Sequence, residues 1–143
     1  MVLVDTSVWS LALRRASGHL NDRQRRVVGE WRKLIEEGRV AVIGPIRQET
    51  LSGIRKEPDF ERLREHLTAF PDTPLHTEDF EHAARLFNRC RSRGLTGTPI
   101  DMLICAVADR RKLSVFTTDR DFERYAQHLP IRLHARKLSL ASI

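Results

Sequence analysis

Five carboxylates stand where the chain changes character. Asp5 ends the apolar run Val2-Leu3-Val4, and Asp119 ends Ser114-Val115-Phe116-Thr117-Thr118. Asp101 falls in the first turn of an apolar helix opened by Pro99, Glu49 lies one turn into the helix that follows Arg39–Ile43, and Asp121 comes just after Asp119. An acid that ends a buried strand is badly placed for a core and well placed for chemistry, because ligands of open α/β sheets bind outside the carboxyl ends of the strands. Parallel strands put Asp5 and Asp119 at one edge of a sheet, and helices that follow strands begin at that edge. Asp5, Glu49, Asp101 and Asp119 are therefore expected to face one crevice, with Asp121 as a possible fifth member.

Carboxylates crowded together repel, and without compensation some take up protons. A divalent cation removes the repulsion, and hard ions such as Mg²⁺ or Mn²⁺ select oxygen ligands. The histidines, at positions 19, 66, 76, 82, 128 and 134, have no zinc-like spacing. Taken singly, each acid also has a plainer reading: Asp101 answers the helix dipole, Glu49 is a solvated helix residue, and Asp121 is an N-cap. Asp5 and Asp119 resist such readings, because both end buried apolar strands in the same way.

The elements that must position these groups follow from periodicity. Val2–Val4 has no polar alternation and reads as a strand buried on both faces, as in the middle of a parallel sheet. Ser7 can cap a helix ending near Arg14 and Arg15. Asp22 opens a longer one through about Glu37, apolar on one side and Arg-rich on the other, which Gly38 ends. Arg39–Ile43 is a second strand, and Pro45–Gly53 and Pro58–Phe70 are helices, with a short strand around Leu75. Thr77 caps the next helix, with Glu78 and Asp79 in its first turn and Phe80, Ala83, Ala84, Phe87 and Cys90 facing inward. Gly94 closes it; Ile100–Arg110, the strand Ser114–Thr118, a helix Asp121–Gln127 and a strand Ile131–His134 complete the pattern. Strands alternating with helices give an α/β domain with a mostly parallel sheet of about four to five strands, covered by helices on both faces. Residues 1–143 read as one domain, with 136–143 as a possible tail.

Lys plus Arg at 25 against Asp plus Glu at 19 gives a formal charge of +6, and the excess is predominantly arginine, whose fork matches phosphate oxygens. Cys90 and Cys105 have no CxxC spacing and read as buried thiols of a reduced protein. No signal peptide or membrane-length apolar run is visible, so a cytoplasmic protein is expected.

The motifs V-D-T-S at Val4–Ser7, P-I-R-Q-E-T-L-S-G ending at Gly53, P-I-D-M-L-I-C-A-V-A from Pro99 and T-T-D-R-D-F from Thr117 occur in the order of one family. The chain resembles a PIN-domain ribonuclease of the VapC toxin type. The resemblance implies a PIN-like fold, with Asp5, Asp101 and Asp119 as metal-binding aspartates, Glu49 as the acid after the second strand, and Asp121 as an accessory acid. It also implies a Mg²⁺-dependent endoribonuclease, with Mn²⁺ as a substitute, held inactive by a small antitoxin and commonly a homodimer.

On this reading water attacks the phosphodiester, leaving a 5′-phosphate and a 3′-hydroxyl, and Asp5 is a direct ligand rather than a cap. Ser7, Thr117 and Thr118 are candidates for hydrogen bonds that fix the carboxylates, or for turn caps. Arg14, Arg15, Arg89, Arg91, Arg93 and Arg120 are the nearest basic groups to offset the RNA charge, although any one of them taken singly reads first as part of a solvated basic face. Within the nuclease class, a housekeeping RNA-processing enzyme is the alternative. An aspartyl phosphatase would want an acid at position 7, which is Ser. A phosphotransfer receiver would want an acidic pair before its first helix and a strand-end Lys. An RNA-binding module without catalysis leaves the matched acids unexplained.

Overall fold

The computed structural model describes residues 1–14 and 17–134; Arg15 and the expected tail lie outside the described residues. Four strands, β1 (Val2–Val4), β2 (Val40–Ala41), β3 (Ser114–Phe116) and β4 (Arg132–Leu133), form a wholly parallel sheet in the order β2-β1-β3-β4. β1 is hydrogen-bonded on both sides, with Val2 opposite Val40 and Ser114, and Val4 opposite Phe116. That central place explains its unbroken apolar run: Val2, Leu3 and Val4 are all buried.

The outer strands are shorter than their sequences suggest. Ile43 already acts as the N-cap of the next helix, which cuts the expected strand Arg39–Ile43 to two residues. In place of a strand around Leu75 there is one parallel bridge between Val42 and Asp72, with the Thr73 N–H donating to the Val42 carbonyl at 2.7 Å. Pro71 and Pro74 flank that bridge and can donate nothing to a longer ladder.

Seven α-helices are present among the described residues, with one 3₁₀ turn at Ser17–His19: α1 (Thr6–Leu13), α2 (Asp22–Glu36), α3 (Gly44–Leu51), α4 (Glu57–Leu67), α5 (Thr77–Ser92), α6 (Pro99–Arg111) and α7 (Asp121–His128). Their packing separates into two groups. α1 packs against α2 and α3, and α3 against α4, whereas α5 packs along α6, which lies on β3. Trp9 anchors the first group: its ring meets Trp31 of α2 and Phe70 beyond α4 edge-on, at centroid distances of 5.6 and 5.1 Å. The Trp9 indole N–H donates to the Val4 carbonyl at 3.1 Å, so the ring is buried without leaving its polar atom unpaired.

α6 is apolar all round, and Met102 to Ala108 are all buried, as expected of a helix covered on every side. α5 and α6 form an antiparallel hairpin, made possible by Gly94 at φ +74°, a left-handed conformation that closes α5 at no steric cost. Cys90 near the end of α5 lies beside Met102 at the start of α6, with sulfurs 3.9 Å apart. At the other end Asp79 accepts from Arg110 at 2.5 Å, from Arg111 at 2.7 and 2.9 Å, and from the His76 N–H at 2.8 Å.

This clamp corrects the expected face of α5. Asp79 is the expected first-turn acid but is fully buried, and drawing it inward sets the buried stripe as Asp79, Ala83, Leu86 and Cys90. Phe80, expected inward, is 54% exposed, and Ala84 also faces out. The helix is capped at His76 rather than Thr77. Both cysteines are free and buried.

Candidate active site

β1 and β3 are adjacent and in register, so their carboxyl ends deliver Asp5 and the Thr117–Asp119 turn to one spot. The Asp5 N–H still donates to the Phe116 carbonyl at 2.9 Å, extending the ladder by one bond before the chain turns into α1. Asp5 is 6% exposed, and a carboxylate so buried requires donors. Its Oδ2 takes three: the Ser7 hydroxyl at 2.8 Å, the Thr117 hydroxyl at 2.8 Å and, more weakly, the Ser7 N–H at 3.4 Å. The last contact makes Asp5 itself the N-cap of α1, which corrects both the expected cap at Ser7 and the expectation that Asp5 is not a cap. Capping engages Oδ2 alone, and Oδ1 has no protein donor among the described residues.

The two hydroxyls tie the strand ends together. Thr117 Oγ1 accepts from the Asp119 N–H at 2.9 Å, and Ser7 Oγ accepts from the Thr118 N–H at 3.0 Å. Thr118 therefore enters through its backbone, and its exposed side chain makes no bond to a carboxylate among the described residues. Asp119 Oδ1 accepts from the Asp121 N–H at 2.9 Å, so Asp119 braces the start of α7, while the N-cap position is Arg120 rather than Asp121.

α6 begins at the same edge. Thr98 caps it, its hydroxyl accepting from the Asp101 N–H at 3.0 Å, and this aims Asp101 toward the strand ends. One oxygen each from Asp101, Asp119 and Asp121 lies within 4.8 Å of the others. Burial pushes the Asp101 carboxyl above its ordinary range; the Tyr125 hydroxyl, donating at 2.8 Å, pulls it back, and the charges of Asp5 and Asp119 push it up again. Asp5 thus stands close enough to act on Asp101 electrostatically, although it adds no oxygen to the close group of three. A cluster of hard oxygen donors, with the remaining Asp5 oxygen nearby and no sulfur or imidazole ligand in the group, fits a hard divalent cation such as Mg²⁺ or Mn²⁺.

Glu49 does not join this group. It sits on the exposed side of α3, whose buried face is Ile46 and Thr50. The arginines divide as well. Arg120 is exposed between Asp119 and Asp121, and Arg89 and Arg91 are exposed in the last turn of α5, which the hairpin brings to the Asp101 end of α6. Arg93 donates to the His128 carbonyl at 3.1 Å. Arg14 is at the far end of α1, roughly 12 Å of helix from Asp5, beside Gly53.

Three neighbours of the acids had no place in the sequence reading: Thr98, Arg124 and Tyr125. Arg124 pairs with Asp121, three residues earlier on the exposed side of α7. Tyr125 follows Asp121 by four residues, a spacing that puts both on one side of a helix and was the available signal.

A parallel α/β sheet with a converging set of acids at its carboxyl edge defines the class: an α/β domain with an oxygen-rich acidic cluster at the strand ends. The chain belongs to the PIN-domain family, whose model it matches over residues 2–127, and PIN domains are generally nucleases. Solved structures share the fold. FitAcB from Neisseria gonorrhoeae is 23% identical over 93% of this chain and 96% of its own, with a TM-score of 0.72. VapBC2 from Rickettsia felis, bound to a DNA fragment from its promoter, is 17% identical over 94% and 98%, with a TM-score of 0.72. VapBC-5 from Mycobacterium tuberculosis, a member of the VapBC family of toxin-antitoxin systems, is 19% identical over 92% and 95%, with a TM-score of 0.65.

Proposed function

We propose that this PIN domain is a metal-dependent endoribonuclease that cuts single-stranded regions of RNA and serves as the toxin of a toxin-antitoxin pair. The observation that carries the reading is the close group formed by Asp101, Asp119 and Asp121, with Asp5 beside it, at the carboxyl edge of the sheet. Asp101, Asp119 and Asp121 would hold Mg²⁺, with Mn²⁺ as a substitute, and Asp5 would complete the site through its free oxygen. When bound, the ion supplies charge neutralisation at the phosphodiester and a lowered pKa for the attacking water. Ser7 and Thr117 fix Asp5 by donating to Oδ2, so that the other oxygen keeps one direction. Arg89, Arg91 and Arg120 offset the negative charge of an RNA backbone next to the acids. Glu49 would act from the rim, through a second ion or an ordered water.

The toxin assignment is supported by fold neighbours that are VapBC or FitAB assemblies. It brings with it a small cognate antitoxin, a homodimeric toxin and a cytoplasmic setting. Chelator is expected to abolish cleavage of single-stranded RNA, and added Mg²⁺ or Mn²⁺ to restore it. Cleavage that persists in excess chelator would remove the metal from the reaction.

A further inference from the structure

We infer that Tyr125 is a positioning residue of the acidic site: its hydroxyl holds one oxygen of Asp101 so that the other stays presented to a divalent cation. The inference rests on the metal-binding reading above and adds a residue to it.

The geometry is specific. Tyr125 is 2% exposed, so its hydroxyl is not free to trade partners with water. That hydroxyl donates to Asp101 Oδ2 at 2.8 Å and is the stronger of the two hydroxyls that act on the Asp101 carboxylate, Thr98 being the weaker; the Thr98 hydroxyl also accepts from the Asp101 backbone N–H at 3.0 Å. The ring is itself held, edge-on to Phe122 at 5.2 Å between centroids. Asp101 is on α6 and Tyr125 on α7, and α7 also carries Asp121, whose carboxylate lies in the same close group. One hydrogen bond thus sets two of the acids relative to each other across two helices. A half-buried carboxylate loses its fixed rotamer when its main donor goes, and partners of this kind typically alter metal affinity 10–100-fold.

The test uses the full chain and Mn²⁺. Tyr125→Phe deletes one oxygen and keeps the ring in its packed position. The expected result is a folded protein with a cooperative thermal transition in the absence of metal, its midpoint lowered by the loss of one buried hydrogen bond, and Mn²⁺ binding by calorimetry weakened by roughly 10–100-fold. Mn²⁺ affinity within twofold of the unsubstituted protein overturns the inference. Because Tyr125 is the only tyrosine, uniform incorporation of 3-fluorotyrosine places one fluorine label there without substitution, which keeps the question open to measurement if the Phe variant fails to fold. A single ¹⁹F resonance that moves saturably with Mg²⁺ supports the contact, and one that stays still to saturation overturns it. If the unsubstituted protein binds no Mn²⁺ at all, the metal reading falls and this inference with it, an outcome distinct from a metal site indifferent to Tyr125.

Discussion

The hydroxyl of Thr117 donates to Asp5, accepts from the backbone of Asp119 and lies 3.3 Å from the Ser7 hydroxyl. Replacing it with the near-isosteric Val removes a buried donor from a buried carboxylate, which costs about 1–3 kcal/mol. Urea denaturation of Thr117→Val is expected to show a loss in that range, with no change in denaturant slope. Asp101 has the opposite balance. Burial and the charges of Asp5 and Asp119 favour its neutral form, so the ionised group costs stability at neutral pH in the absence of metal. Asp101→Asn keeps an oxygen for Tyr125 and drops the charge. It is expected to hold or raise the thermal midpoint while lowering RNA cleavage by roughly 100-fold or more. A variant that cleaves normally would return Asp101 to a plain first-turn acid.

The α5–α6 hairpin is fastened far from the site. Asp79, with no exposed surface, sits between Arg110 and Arg111. Burial pushes its carboxyl up, but the bonds from Arg111, the His76 N–H and Arg110 outweigh that and hold it well below the usual carboxylate range. A depressed folded-state pKa gives stability that is full above the unfolded value, near 4, and is lost as pH falls below it. Equilibrium unfolding between about pH 6 and pH 2.5 is expected to show this loss, and Asp79→Asn to flatten it. The same substitution at neutral pH removes one side of a buried ion pair and is expected to cost about 3 kcal/mol. Since α6 carries Asp101 at its other end, loosening the clamp loosens the site as well.

Viewed as a whole molecule, the chain sets a formal charge of +6 against an acidic cluster at the sheet edge. A polyanion is drawn by the first and repelled by the second until the cluster is neutralised. RNA association is therefore expected to weaken with salt, log affinity falling linearly with log salt concentration. Arg89→Ala combined with Arg91→Ala should reduce that slope by about 1–2. A slope equal to that of the unsubstituted protein would place the RNA elsewhere. Expression of the chain alone is expected to arrest growth, and expression of Asp101→Asn to be harmless; harmless expression of an enzyme proven active would favour RNA processing over a toxin role.

Local chemistry was enough to identify the frame. The unbroken apolar run of Val2–Val4, the acids ending two strands, Pro99 opening a helix and Gly94 closing another are statements about neighbours in the chain, and each survives in the parallel sheet and the helical hairpin. Convergence is different, because it depends on how helices rotate and where they point. Asp121 was legible only as an accessory acid, yet α7 turns its carboxylate into the close group. Glu49 had the stronger claim in sequence, as one of four acids expected in one crevice, but the buried face of α3 is Ile46 and Thr50, which leaves Glu49 at the solvent side. Phe80 matched an inward helical period until the long-range pull of Arg110 and Arg111 on Asp79 set the rotation of α5. Sequence by itself determined which groups end the elements and what chemistry they favour. Tertiary structure alone decided which of them meet, because a few tens of degrees of helix rotation, paid for by a buried ion pair or a packed ring, moves a side chain from solvent into a site.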